Sequence, residues 1–462
     1  MSDGVLAVAK FSLTRMKRSG ITRTASPTGV RLGLLVWSFV HRSACTGNML
    51  QHHASREHVR KVSMSSAAFS QTEVKLDLSD VDHRVGQLVG GGQQWSPCSS
   101  NDIRRWVMAM DYPNPIHWDE EFARESKFGG LVAPQSIAVC LDVGHGVQPA
   151  CVGRIPGSHL IFGGEEWWFY GYRMRPGDQL FQERRFHDYK VTATKFAGPT
   201  LFQRGDTLHR NQHGTAVAKE RSTSIRYLAA EADKRKMYEK QLPQIPCWTP
   251  AKLTEIDRVR HDWILSNRMG NSPHFDAVKV GDKLPQRVLG PHSIASFTTE
   301  YRAFGDNVWG GYRWVAPQGV KDPWINQDAG WVEGFGIDDE GAKIDPRYRD
   351  GLYKGPSRGH IDSEKAGRIG MARAYGYGAT MGAWVTDYLA YWAGHDGFVR
   401  HVKSSFRGPA FEGDVTYFEG EVIAKQAESA WGVPLVEVRV RLTNQDGGVL
   451  VDAAAEVELP VG

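Results

Sequence analysis

The chain lacks the marks of several large protein classes. It has only five cysteines in 462 residues (Cys45, Cys98, Cys140, Cys151 and Cys247), and none stands in CxxC or other metal-ligand spacing. An odd, unpatterned set gives no disulfide framework and fits a reducing compartment. No dinucleotide-binding glycine fingerprint is present. The most apolar early run, Gly33 to Val40, is far too short to span a bilayer. The expectation is therefore no metal, no redox cofactor and no membrane. Acidic residues are nearly missing from the first seventy positions, which hold Lys10, Arg15, Lys17, Arg18, Arg23, Arg31 and Arg42 among many Ser and Thr. Much of the net charge of +4 sits there, which argues against nucleic-acid binding by the body of the chain. Residues 1–70 read either as a transit-type leader or as an extension that stays out of the fold, with the working protein starting near Met64. The first reading implies mitochondria and the second the cytoplasm.

What is present is a mixed composition, 41% hydrophobic and 23% charged, in a chain long enough for two or three domains and a large core. Ser99-Ser100-Asn101-Asp102 is an N-cap cluster, and Ile103, Trp106, Val107 and Met110 follow at helical spacing. A short helix is expected over residues 119–126 and a long apolar one from Ser136 to Val143, stopped by Gly144-His145-Gly146. Strand-like runs follow at residues 159–162, 166–173, 179–190, 200–211 and 215–227. A helix followed by an antiparallel meander is an α+β signature.

Between the helices lies Met108 to Val139, which carries an acid, Asp111, a stiff turn at Asn114-Pro115, and His117. An acid and an imidazole held close by a rigid turn suit acid–base work on a bound water. A capping Asp and a surface His in an ordinary loop would look the same.

The arrangement occurs twice. Gly86 and Gly281 are 195 apart, as are Asp111 and Asp306. His360-Ile361-Asp362 with Ala366 repeats the H-x-D-x₃-A spacing of His117-Trp118-Asp119 with Ala123. Gly413-Asp414 answers Gly177-Asp178, and Asn444-Gln445-Asp446-Gly447 answers Asn211-Gln212-His213-Gly214. Five matches in one order are an internal duplication. The units are expected at 80–228 and 272–460, joined by a linker at 229–271, with an insertion at 307–359 in the second.

With Asp111, Asn114-Pro115-Ile116-His117 and Gly129-Gly130-Leu131-Val132-Ala133-Pro134 in view, the chain resembles the MaoC-like acyl dehydratases, or (R)-specific enoyl-CoA hydratases, of double hot-dog type. The likeness runs from about Val85 to Val457. It implies two curved antiparallel sheets, each wrapped around a central helix. It implies reversible addition of water to a trans-2-enoyl-CoA, with coenzyme A thioester as substrate and no further cofactor. Asp111 and His117 are then the catalytic pair, with Asp306 and His360 as a second candidate pair. Asn114, Gln135, Ser136 and Gly378 would bind substrate, the last three by helix-start amides facing the thioester oxygen. The family acid stands five residues before the histidine; here Asp111 stands six before. Pro134 has no N–H, so Gln135 or Ser136 must supply it.

Other features carry less. Trp309, Trp314, Trp324 and Trp331 in the insertion suit either a pocket for a bulky acyl group or, better, a small satellite core. Glu165 and Glu166 should point to opposite faces of a strand and be solvated. Arg173 and Arg175 suit coenzyme A phosphates or, better, a solvated strand edge. For His145, His159 and His187 the sequence alone points to no role. A hot-dog thioesterase and a non-catalytic partner subunit are the alternatives, and two units in one chain leave a homodimer open.

Overall fold

The strand-like runs between His159 and Tyr227 are longer and more continuous than their breaks in sequence suggest. A computed structural model describes residues 75–93, 97–141, 148–153, 155–238, 245–297 and 358–462, all within one unit, Gln71–Gly462. The leader, the insertion with its tryptophans, Asp306 and His145 lie outside the described residues.

The helices are α1 (Ser79–Asp82), α2 (Ser100–Ala109), α3 (Glu120–Glu125), α4 (Ile137–Leu141), α5 (Ala229–Arg235), α6 (Pro250–Ser266), α7 (Ile294–Phe297), α8 (Ser363–Arg368) and α9 (Gly378–Ala393). The strands are β1 (Leu88–Gln93), β2 (Ser158–Phe169), β3 (Phe181–Thr194), β4 (Gly198–Arg210), β5 (Ala216–Leu228), β6 (Arg287–Leu289), β7 (Phe398–Phe406), β8 (Thr416–Gln426), β9 (Leu435–Asn444) and β10 (Val449–Glu458). They form one antiparallel sheet in the order β1-β3-β4-β5-β2-β7-β10-β9-β8-β6. With each half counted from its own first strand, the order 1-3-4-5-2 meets its mirror at the β2–β7 seam, which is a pseudo-two-fold axis.

Two expected runs, 159–162 and 166–173, are one strand, β2, ending at Phe169. Its register against β5 shifts between Phe162 and Gly164. Glycine is needed there: a Cβ on Gly164 would lie 2.7 Å from the Ser404 carbonyl across the seam.

The repeated motifs make the same bonds in both halves. Asp119 caps α3 through the Glu121 and Phe122 amides, and Asp362 caps α8 through those of Glu364 and Lys365. Ala123 and Ala366 are fully buried beneath these helices. Gln212 Nε2 donates to Asp178 at 3.2 Å and Gln445 Nε2 to Asp414 at 3.1 Å, so each Asn-Gln hairpin clamps a Gly-Asp turn. The duplication therefore persists at the level of single hydrogen bonds.

The central helices differ. In the second half α9 runs for 16 residues, about 24 Å at 1.5 Å per residue. It packs Met381, Trp384, Val385, Tyr388 and Leu389 into the main core. The helix expected from Ser136 to Val143 begins one residue later and is described only to Leu141. Beyond it, residues 148–153 cover the first sheet as an irregular strap: a Cβ on Gly205 of β4 would lie 2.3 Å from the Pro149 carbonyl carbon.

Candidate active site

The turn after α2 is built from the α2 capping box outward. Ser99 and Asp102 exchange hydrogen bonds and fix the start of α2. At its far end the buried Arg287 guanidinium donates to the carbonyls of Met110 at 2.8 Å and Asp111 at 3.4 Å. The chain then reverses with φ 49° at Asp111, a left-handed conformation that aspartate tolerates better than most residues. Asp111 is left exposed and Tyr112 buried. The residue five before His117 is Tyr112, and the expected acid, Asp111, stands one position earlier.

Asn114 is extended, as a residue before proline should be, and its Oδ1 accepts from the Ile116 amide at 3.2 Å. Pro115 opens the short 3₁₀ turn that ends at His117. His117 is 3% exposed, and its Nδ1 lies 2.7 Å from the Val132 carbonyl. A carbonyl only accepts, so Nδ1 carries the proton and Nε2 holds the free lone pair. Burial, the largest cause, pushes the imidazole down to about 3, with Arg173 and His395 pulling the same way against the Val132 bond. His117 is thus neutral throughout the physiological range.

A cleft lined by Tyr112, Asn114, His117, Gln135, Arg173 and His395, among others, opens at this histidine. The Tyr112 and His117 rings are 5.1 Å apart. His395 follows the end of α9, in the other half, and its Nε2 donates to Asn114 Oδ1 at 3.2 Å. Its ring nests on Gly270, where a Cβ would come within 2.1 Å of it. Arg173 stacks between the Phe128 and Phe398 rings, 5.1 Å from each. Its Nη2 donates to the carbonyls of Gly397 at 2.5 Å and His395 at 3.2 Å. Arg173 lies past the end of β2 as a wall of the cleft, rather than on a solvated strand edge. Arg175 reaches the Phe128 carbonyl at 2.8 Å.

Of the residues expected to act, Asn114, His117 and Gln135 meet in this cleft. Ser136 is buried beside it and donates to Asp387 of α9 at 2.6 Å. The Gln135 and Ser136 amides donate to nothing among the described residues. Eighteen positions separate His117 from Gln135, as they do His360 from Gly378, so Pro134 does not fall on the matched amide. Asp111 is not among the lining residues.

In the second half His360 is held the same way, with Nδ1 2.6 Å from the Tyr375 carbonyl, again fifteen residues on. Its ring lies 3.8 Å from that of Tyr377. Gly378 opens α9 against Phe162 and Phe406, with no room for a Cβ.

Glu165, expected in solvent, is instead 3% exposed and packed on Gly382 of α9. The alternation was right but the face was not open, since α9 covers it. Glu166, on the other face, pairs with His401 at 2.9 Å and Lys403 at 3.2 Å. Sequence reading missed Tyr112, His395 and Asp387. For Tyr112 the signal was the five-residue spacing, and for His395 the Gly-His that recurs in sequence at Gly144-His145 and Gly394-His395; Asp387 left no signal. Among the described residues no group of three or more His, Cys, Asp or Glu could hold a metal ion, and no helix is long and apolar enough to cross a membrane.

Residues 84–220 match a sequence family described as the FAS1-like dehydratase domain region. No curated protein matches the sequence. A solved MaoC-like dehydratase is 17% identical, with 82% of this chain and 99% of the other covered and a TM-score of 0.53. A MaoC domain dehydratase of Chloroflexus aurantiacus is 13% identical over 86% of this chain and all of the other, with TM-score 0.46. Rv0216 of Mycobacterium tuberculosis, described as having a double hot-dog fold, is 14% identical over 81% and 96%, with TM-score 0.42. Residues 84–220 therefore match a FAS1-like dehydratase domain region, and the chain shares the fold of a solved MaoC-like dehydratase.

Proposed function

We propose that the chain adds water to a trans-2-enoyl-CoA, or dehydrates the 3-hydroxyacyl-CoA, with His117 as base. The observation that carries this reading is the tautomer of a buried imidazole. With Nδ1 donating to Val132, Nε2 is the free lone pair beside the cleft. As the water oxygen bonds to the β-carbon, Nε2 takes its proton, and the electron pair of the double bond moves to the thioester oxygen. The Gln135 and Ser136 amides are the donors for that oxygen. The α-carbon is then protonated, by the imidazolium or by the Tyr112 hydroxyl, and no electron carrier is involved. Tyr112 takes the place of the expected Asp111: burial, above all, holds its hydroxyl protonated. Arg173 suits the anionic carrier, since a guanidinium held between two rings stays charged and oriented. The length of the insertion at 307–359 favours a bulky or branched acyl group as the substrate.

One observation favours a second reading. Asp387 puts a carboxyl group on a central helix, where hot-dog thioesterases generally place theirs. The test is a panel of trans-2-enoyl-CoA thioesters, followed at once for enoyl absorbance and for free thiol. Loss of absorbance without thiol supports hydration. Thiol release without hydration overturns it in favour of thioester cleavage.

A further inference from the structure

Both polar side chains at the start of α4 are tied to the second half. Gln135 clasps the Val399 backbone, with Nε2 donating to its carbonyl at 2.9 Å and Oε1 accepting from its amide at 3.1 Å. Ser136 accepts from Trp106 Nε1 at 3.0 Å and donates to Asp387 Oδ1 at 2.6 Å. Asp387 is fully buried, and its Oδ2 has no hydrogen-bond partner among the described residues. Helical spacing puts Asp387 on one face of α9 with Ala390, Tyr391 and Gly394. Ala390 and Gly394 line the His117 cleft, and Tyr391 meets Tyr112 edge-on at 6.0 Å. A carboxyl group so buried is costly as an anion and far cheaper as an acid.

We propose that Asp387 is a positioning residue for the His117 site, acting through Ser136 in its protonated form. This rests on the reading of His117 as base. The neutral carboxyl anchors Ser136, and with it the Gln135 and Ser136 amides. Once ionised, it sets a negative charge beside the one that develops on the thioester oxygen, which disfavours the transition state.

The charged and titratable groups facing Asp387 are Arg287 of β6 and Tyr112 of the turn, with Tyr391 one turn along its own helix. Glu165 of β2 meets α9 farther back, at Gly382. Burial pushes Asp387 up to about 7, against the Ser136 hydrogen bond and the Arg287 charge.

The experiment uses the full chain and two readouts. In wild type, kcat should fall roughly tenfold per pH unit above about pH 7 while KM holds. Asp387→Asn, which keeps the neutral shape, should flatten that limb. An unchanged limb in the variant, or loss of kcat at every pH, overturns the proposal. The second readout needs no activity: the Trp106 indole N–H resonance in tryptophan-labelled protein, assigned with Trp106→Phe. It should titrate near pH 7 in wild type and stay fixed in both Asp387→Asn and Ser136→Ala. An indole that does not move in wild type overturns the relay, whatever the enzyme does. A titrating indole in a chain that hydrates no enoyl thioester supports the relay but removes its catalytic role, by sinking the hydratase reading.

Discussion

Matched positions of the two sheets carry opposite chemistry on their inner faces. At the offset of 233 that relates Asn211 to Asn444, the inward residues of β4 are Gln203, Gly205, Thr207 and His209, and those of β9 are Val436, Val438, Val440 and Leu442. On the neighbouring strands Glu220, Ser222 and Ser224 of β5 stand against Ala453, Ala455 and Val457 of β10. The register confirms the match, since Thr207 pairs with Glu220 and Val440 with Ala453.

The difference follows from what lies on each sheet. A long helix satisfies its own carbonyls, so the sheet beneath α9 needs only shape and apolar surface. The strap at residues 148–153 leaves carbonyls facing inward, and the sheet beneath must donate to them. Ser224 reaches the Ala150 carbonyl, while Gln203 and Arg226 meet that of Val152 at 2.8 and 3.0 Å. One duplicated topology thus supports an oily core in one half and a hydrogen-bonded one in the other. The apolar half also lends its helix end, through Ala390, Gly394 and His395, to the histidine site of the polar half.

The largest effect should separate the two histidines. His117→Ala should lower the hydration rate roughly 10²–10⁴-fold, the usual worth of a general base, and His360→Ala should leave most of it. The reverse pattern in steady-state rates would move the working site to the second half. Next come the cores, measured by urea unfolding. Leu442→Ala should cost about 2–5 kcal/mol as a cavity. Ser224→Ala should cost about 1–3 kcal/mol, by leaving the Ala150 carbonyl without its donor; equal costs, or a larger one for Ser224, would erase the contrast.

Gly205→Ala sharpens it further. The added methyl meets strap backbone, so the change should cost about 1–3 kcal/mol by overpacking, and a stabilised variant would show that the strap yields.

The smallest effect is a slope. Burial pushes Glu165 up to about 8. A carboxyl raised in the folded state contributes stability at low pH, and loses it as pH climbs from the unfolded value through about 8. Glu165→Gln should remove that part of the decline in melting temperature, and parallel curves for both proteins would place the titration elsewhere.

Much of the site was legible because it rests on local chemistry. Asn114-Pro115 can form few turns, Asp119 and Asp362 are natural caps, and the repeated spacings show that each half builds the same turn. Asp111 faces away from the cleft for a physical reason. Which residue of the turn faces inward was decided by Arg287, 176 positions away, which pins the carbonyls of Met110 and Asp111 and exposes the acid. Arg173 and Glu165 were read as solvated for the same kind of reason, since the surfaces that cover them belong to the other half.

The sequence by itself determined the duplication, the strand alternation, the caps and a histidine behind a stiff Asn-Pro turn, because each depends on residues within a few positions of one another. Only the tertiary structure decided that Tyr112 rather than Asp111 turns inward, that His395 and Asp387 approach the first half's histidine, and that one sheet is polar inside. Those outcomes depend on which carbonyls, rings and charges meet across the seam, and spacing along the chain does not encode that meeting.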